Sequence, residues 1–82
     1  MNAAAPENRA QFLRKRSFAI AGHRTSVALE QEFWTVLEKE AHRLGRTLSG
    51  LVAQVDASRG GRPLAGALRV AALAASARAT VG

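Results

Sequence analysis

The stretch Gly22-His23-Arg24-Thr25-Ser26-Val27-Ala28-Leu29 alternates, with Thr25, Val27 and Leu29 on one side and Arg24, Ser26 and Ala28 on the other. A period of two that includes β-branched residues reads as a half-buried β-strand. Everything after Leu29 reads as helix. A strand without a neighbour leaves a row of backbone donors and acceptors unpaired, and nothing downstream can supply the pairing. The simplest partner is the same strand in a second copy of the chain. This shortage constrains the fold more than any other feature.

Before the strand, residues 10–21 (AQFLRKRSFAIA) begin with a possible helical turn and end in an extended, partly apolar segment. Ser17 to Ala21 either carries the strand on across Gly22 or folds back on it. Glycine permits both, because it accepts positive φ and marks bends and bulges, so the sequence leaves the choice open.

A first helix is expected from about Glu30 to Leu44. Glu30 and Glu32 suit the positive end of its dipole, and His42 and Arg43 the negative end. Phe33, Trp34, Val36, Leu37, Ala41 and Leu44 form one broad apolar face. Glu40 falls inside that face, so it must be at the rim, or paired, or reached by water; the edge of the face, close to a basic group such as Arg43 or Arg46, is expected. Gly45 suits a left-handed C-cap. Thr47 then N-caps a second helix, whose stripe is Leu48, Leu51, Val52 and Val55, and Gly60-Gly61 ends it. A third, alanine-rich helix follows from about Pro63, with Leu64, Leu68, Ala71 and Ala75 along one side. Val70 and Leu73 lie elsewhere on its wheel, so its apolar surface is wider than one contact requires.

The chain has 82 residues, no cysteine and a formal charge of +6. One small domain without disulfide or thiolate-metal staples has a limited core and often gains buried surface by oligomerising. The charge is uneven. Residues 1–25 carry +4 (Arg9, Arg14, Lys15, Arg16 and Arg24 against Glu7), residues 26–59 carry −1, and residues 60–82 carry +3. A basic excess on and before a surface strand favours a polyanion, nucleic acid ahead of membrane. There is no apolar run of membrane-spanning length and no signal-peptide core in residues 1–6, so a cytoplasmic protein is expected.

Strand, helix, short turn and helix, in that order and with a basic strand, resemble the ribbon-helix-helix family of bacterial DNA-binding proteins. The resemblance covers residues 23–59. It rests on Arg24 to Leu29 as the alternating strand, Glu30-Gln31-Glu32 as an acidic helix start, Phe33 to Leu44 as the first helix, and Gly45-Arg46-Thr47-Leu48-Ser49 opening the second. More narrowly, IAGHRTSVALEQEFW, GRTLSGLVAQVDASR and a later LAGALRV resemble one bacterial subgroup with a third helix.

The fold so implied is mainly α with one short strand, an obligate homodimer whose intermolecular two-stranded antiparallel ribbon enters the major groove. Arg24, Ser26 and Ala28 would face the bases: Arg can bond guanine O6 and N7, Ser can donate or accept, and an alanine methyl suits thymine. Arg14, Lys15 and Arg16 would reach phosphates from upstream of the ribbon, as would Thr47, Leu48 and Ser49 at the second helix start. The dimer core would comprise Val27, Leu29, Phe33, Trp34, Leu37, Leu51, Val52 and Val55. The chain then divides into a flexible tail (1–13), a basic arm with the ribbon-helix-helix core (14–59) and a C-terminal helix (60–82) that packs on the core or on a partner.

Other chemistry finds little footing. His23 and His42 lie on different elements with no third ligand, so no metal or cofactor is expected. Ser26 and Ser49 lack an identifiable base and pocket, which argues against an enzyme. Trp34 suits a core better than a base-stacking platform. The expected function is a dimeric, sequence-specific DNA-binding regulator, repressor-like, with itself and double-stranded DNA as partners. The alternative is an antitoxin-like interaction module that meets a protein partner through residues 63–79.

Overall fold

A computed structural model describes residues 12–81, the last two by backbone alone. Its elements are β1 (Leu13–Ile20), β2 (His23–Glu30), α1 (Gln31–Arg43), α2 (Leu48–Ser58) and α3 (Leu64–Val81). Apart from Phe12 and Leu13, the expected tail lies outside the described residues.

The lone-strand expectation is corrected first. β2 has a partner in its own chain, because residues 13–20 form a strand and pair antiparallel with β2 from Leu13↔Glu30 to Ile20↔His23; the start of the helical turn expected from residue 10 lies outside the described residues. The connection is two residues long, and both have positive φ, Ala21 at 51° and Gly22 at 83°. Positive φ at both central positions defines the turn type whose twist matches two antiparallel strands. Ser17–Ala21 therefore folds back. The usual hairpin signal is Asn-Gly or Gly-Gly, and an alanine in the left-handed region disguised this turn.

Pairing gives the ribbon two faces. Phe18 and Ile20 on β1 and Val27 and Leu29 on β2 are buried against the helices. α1 follows β2 directly and lays Trp34, Leu37 and Ala41 onto them. It ends in a Schellman motif, with Gly45 N–H donating to the His42 carbonyl and Arg46 N–H to the Ala41 carbonyl. The expected cap of α2 is present: Thr47 Oγ1 accepts from Gly50 N at 2.9 Å. α2 adds Leu51 and Val52, and α3 closes the core with Ala67, Leu68, Ala72 and Ala75.

This closure changes the account of the core. Of the eight residues assigned to a dimer interface, Val27, Leu29, Trp34, Leu37, Leu51 and Val52 are buried within one chain, and Phe33 and Val55 are half-buried. β1 and α3 of the same chain cover much of this apolar surface. At the far end of the apolar face, Leu44 is the C-cap and is exposed.

Candidate nucleic-acid interface

The side chains opposite one another in an antiparallel pair share a face. The register Lys15↔Ala28, Ser17↔Ser26 and Ala19↔Arg24 therefore puts these six residues together on the side away from the core. Lys15, Ser17, Ala19, Arg24 and Ser26 are exposed, and Ala28 is half-buried. Arg24, Ser26 and Ala28 thus share the outward side, as their alternation implied. Two groups join them from β1. Ser17 lies beside Ser26, hydroxyl to hydroxyl at 2.9 Å, and Lys15 stands across from Ala28. Neither Lys15 nor Arg24 makes an ion pair among the described residues, so both ammonium and guanidinium face solvent. Glu30, the one acid on this face, is drawn off by Arg69 of α3 at 3.0 Å.

Arg14, Lys15 and Arg16 lie within the ribbon, not upstream of it, and the alternation separates them. Arg14 and Arg16 project to the helix side. Arg16 sits over the Trp34 ring, 5.3 Å from its centroid, and bonds Glu38 at 2.7 Å. The core side of β1 is held by Trp34, which is 0% exposed and donates from Nε1 to the Arg14 carbonyl at 2.7 Å. Its ring packs on Phe18 with centroids 5.8 Å apart. A buried indole tied to the β1 backbone is an anchor for the ribbon, and no base can stack on it.

Thr47, Leu48 and Ser49 form the start of α2, where the first amides have no partner within the helix. Thr47 and Ser49 are exposed and Leu48 is half-buried. Behind the ribbon, Glu40 is 9% exposed and held by three short bonds, two from Arg43 (3.0 and 2.8 Å) and one from Arg78 of α3 (2.7 Å). The Arg43 hydrogen bonds are the main cause of its lowered pKa, about 2 against an ordinary 4.5; partial burial opposes them and Arg78 reinforces them. The pairing with Arg43 agrees with the sequence reading, whereas Arg78 was not anticipated from a helix 38 residues away. His23, at the turn end of β2, and His42, near the end of α1, are both exposed.

A two-stranded ribbon followed by two helices about a capped turn, basic on its outward face, is the arrangement of β-ribbon DNA-binding folds. Residues 13–76 match the model of the ribbon-helix-helix domain, and the chain belongs to that family. Comparison with curated proteins and with solved structures gives no significant match. Among the described residues, no helix is long and apolar enough to cross a membrane.

The signal for Ser17 was present in the sequence. Arg16, Phe18 and Ile20 alternate with Lys15, Ser17 and Ala19 in the same period of two as β2. Reading three consecutive cations as an arm concealed it.

Proposed function

We propose that this protein is a sequence-specific DNA-binding regulator, repressor-like, that lays the β1–β2 hairpin in the major groove. Arg24, Ser26 and Ala28 read base edges from β2. Ser17 and Lys15 face the same groove from β1, and the α2 start at Thr47, Leu48 and Ser49 offers its first-turn amides to a phosphate, while Arg14 and Arg16, on the helix side of β1, take no part in base reading. The observation that carries this reading is the outward face itself: two unpaired cations and a hydroxyl pair on a two-stranded ribbon whose other face is anchored by Trp34. A ribbon of two strands about 4.8 Å apart fits a groove about 12 Å wide.

The protein acts as a homodimer, in which the second copy adds a second ribbon rather than a missing half of the core. Two ribbons reading half-sites about one helical turn apart give a palindromic operator. Because the core closes within one chain, the folded monomer persists on dilution. Sedimentation with circular dichroism checks this, and loss of helix on dissociation would contradict it.

Selection of bound sequences from a random duplex pool, at stated salt, tests the function. Enrichment of a palindromic site is expected, whereas a pool that stays random removes the claim of specific reading.

A further inference from the structure

We infer that the groove between α2 and α3 is a docking site for an acidic amphipathic helix of a partner protein. This does not rest on the DNA-binding reading. Two adjoining clefts of about 300 and 350 Å³ share Val55, Ser58 and Ala71 as lining and run together along α3. Leu51, Val70 and Ala74 extend their apolar floor. On the outer side of α3 the floor continues into an exposed stripe, Val70, Leu73, Ala74 and Ala77, at spacing i, i+3, i+4, i+7. Val70 is 49% and Leu73 64% exposed, and these two large apolar side chains one turn apart are not needed by the chain's own core.

The rim identifies the occupant. Arg59 and Arg62 border one cleft, and Arg43 and Arg78 the other. Glu40 is bonded to both Arg43 and Arg78, and Arg59 is paired with Asp56 at 2.7 Å, so four arginines against two carboxylates leave the rim at +2. Arg62 makes no ion pair among the described residues, and residues 60–82 contain no acid at all. A second copy of this chain would set the same arginines against one another, so charge disfavours self-association here. Carboxylates flanking an apolar stripe match both floor and rim, which is the helix-in-groove mode of recognition. From Ala67 to Arg78 the groove runs about 17 Å at 1.5 Å per residue, the length of a partner helix of about three turns.

The test uses the full chain and a fluorescein-labelled 16-residue peptide with leucine and alanine on one face and glutamate on its flanks. Anisotropy titrations compare it with a peptide carrying glutamine for glutamate and with a scrambled peptide that keeps the charge but breaks the stripe. The acidic amphipathic peptide is expected to bind about tenfold or more tightly than either control, and Val70→Asp and Arg62→Glu, with unchanged circular dichroism, are each expected to weaken it about tenfold. Random duplex DNA in excess should leave it bound. No binding at millimolar peptide, equal binding of the scrambled peptide, or displacement by duplex would overturn the inference. So would concentration-dependent self-association abolished by Val70→Asp, because a second copy would then cover the groove.

Discussion

The hairpin has two faces made by the same sixteen residues, and they differ in everything but backbone. One carries Phe18, Ile20, Val27 and Leu29 into the core under an indole that grips the β1 backbone. The other carries Lys15, Ser17, Arg24 and Ser26 into solvent, with an ion-pair partner for none of them among the described residues. A strand's period of two separates these tasks without any change of fold, so a substitution on one face need not disturb the other. Substitutions can therefore be sorted in advance into those that cost stability and those that cost recognition.

The largest effect is expected on the inner face. Trp34→Ala removes a fully buried indole, and core Trp-to-Ala substitutions cost about 3–5 kcal/mol, a large part of the roughly 5–15 kcal/mol of a small domain. Denaturant titration should show it, with β1 losing amide protection first because its tether to Arg14 is gone. A full-strength hairpin in the Trp34→Ala protein would show that the anchor is unnecessary.

On the outer face, Arg24→Ala should leave the denaturation midpoint within about 0.5 kcal/mol of the parent, as surface substitutions do. Its ratio of specific to random DNA binding should fall by about 1–3 kcal/mol per lost bidentate pair. Equal weakening on both duplexes would make Arg24 a phosphate contact.

Glu40 tests the network that joins α1 to α3. Its pKa is lowered in the fold, so its contribution to stability is full above about 4.5 and is lost as pH falls from there toward about 2. Glu40→Gln should thus melt lower than the parent at pH 7, with the two midpoints converging near pH 2. Parallel curves across that range would mean the carboxylate charge is idle. The smallest effect is expected for Lys15→Ala, which should flatten the slope of log affinity against log salt by about one per copy, about two per dimer, if Lys15 meets a phosphate, and by less if it meets bases.

The helical part of the fold was legible because its signals are local: Gly45 in the Schellman cap, Thr47 as the α2 cap, and the stripe Leu48, Leu51, Val52. The pairing of β2 was not, because it depends on a turn whose first residue is an alanine held at φ 51°. No propensity reveals that. From this single omission followed the strand left without a partner in its own chain, the placing of Arg14–Arg16 upstream, and the neglect of Ser17. Arg24, Ser26 and Ala28 were placed on the correct side regardless, since alternation alone decides the face. Arg78 and Arg69 remained out of reach because their partners, Glu40 and Glu30, lie 38 and 39 residues away.

The central claim, that the outward ribbon face reads bases in the major groove, is tested most directly by methylation interference on a selected duplex. Guanine N7 lies in the major groove and adenine N3 in the minor, so one reagent distinguishes them. Methylation of one or two guanines at N7 in each half-site should block the parent protein, and the same guanines should become indifferent for Arg24→Ala. Interference confined to adenine N3, or guanine interference unchanged in Arg24→Ala, would contradict the account.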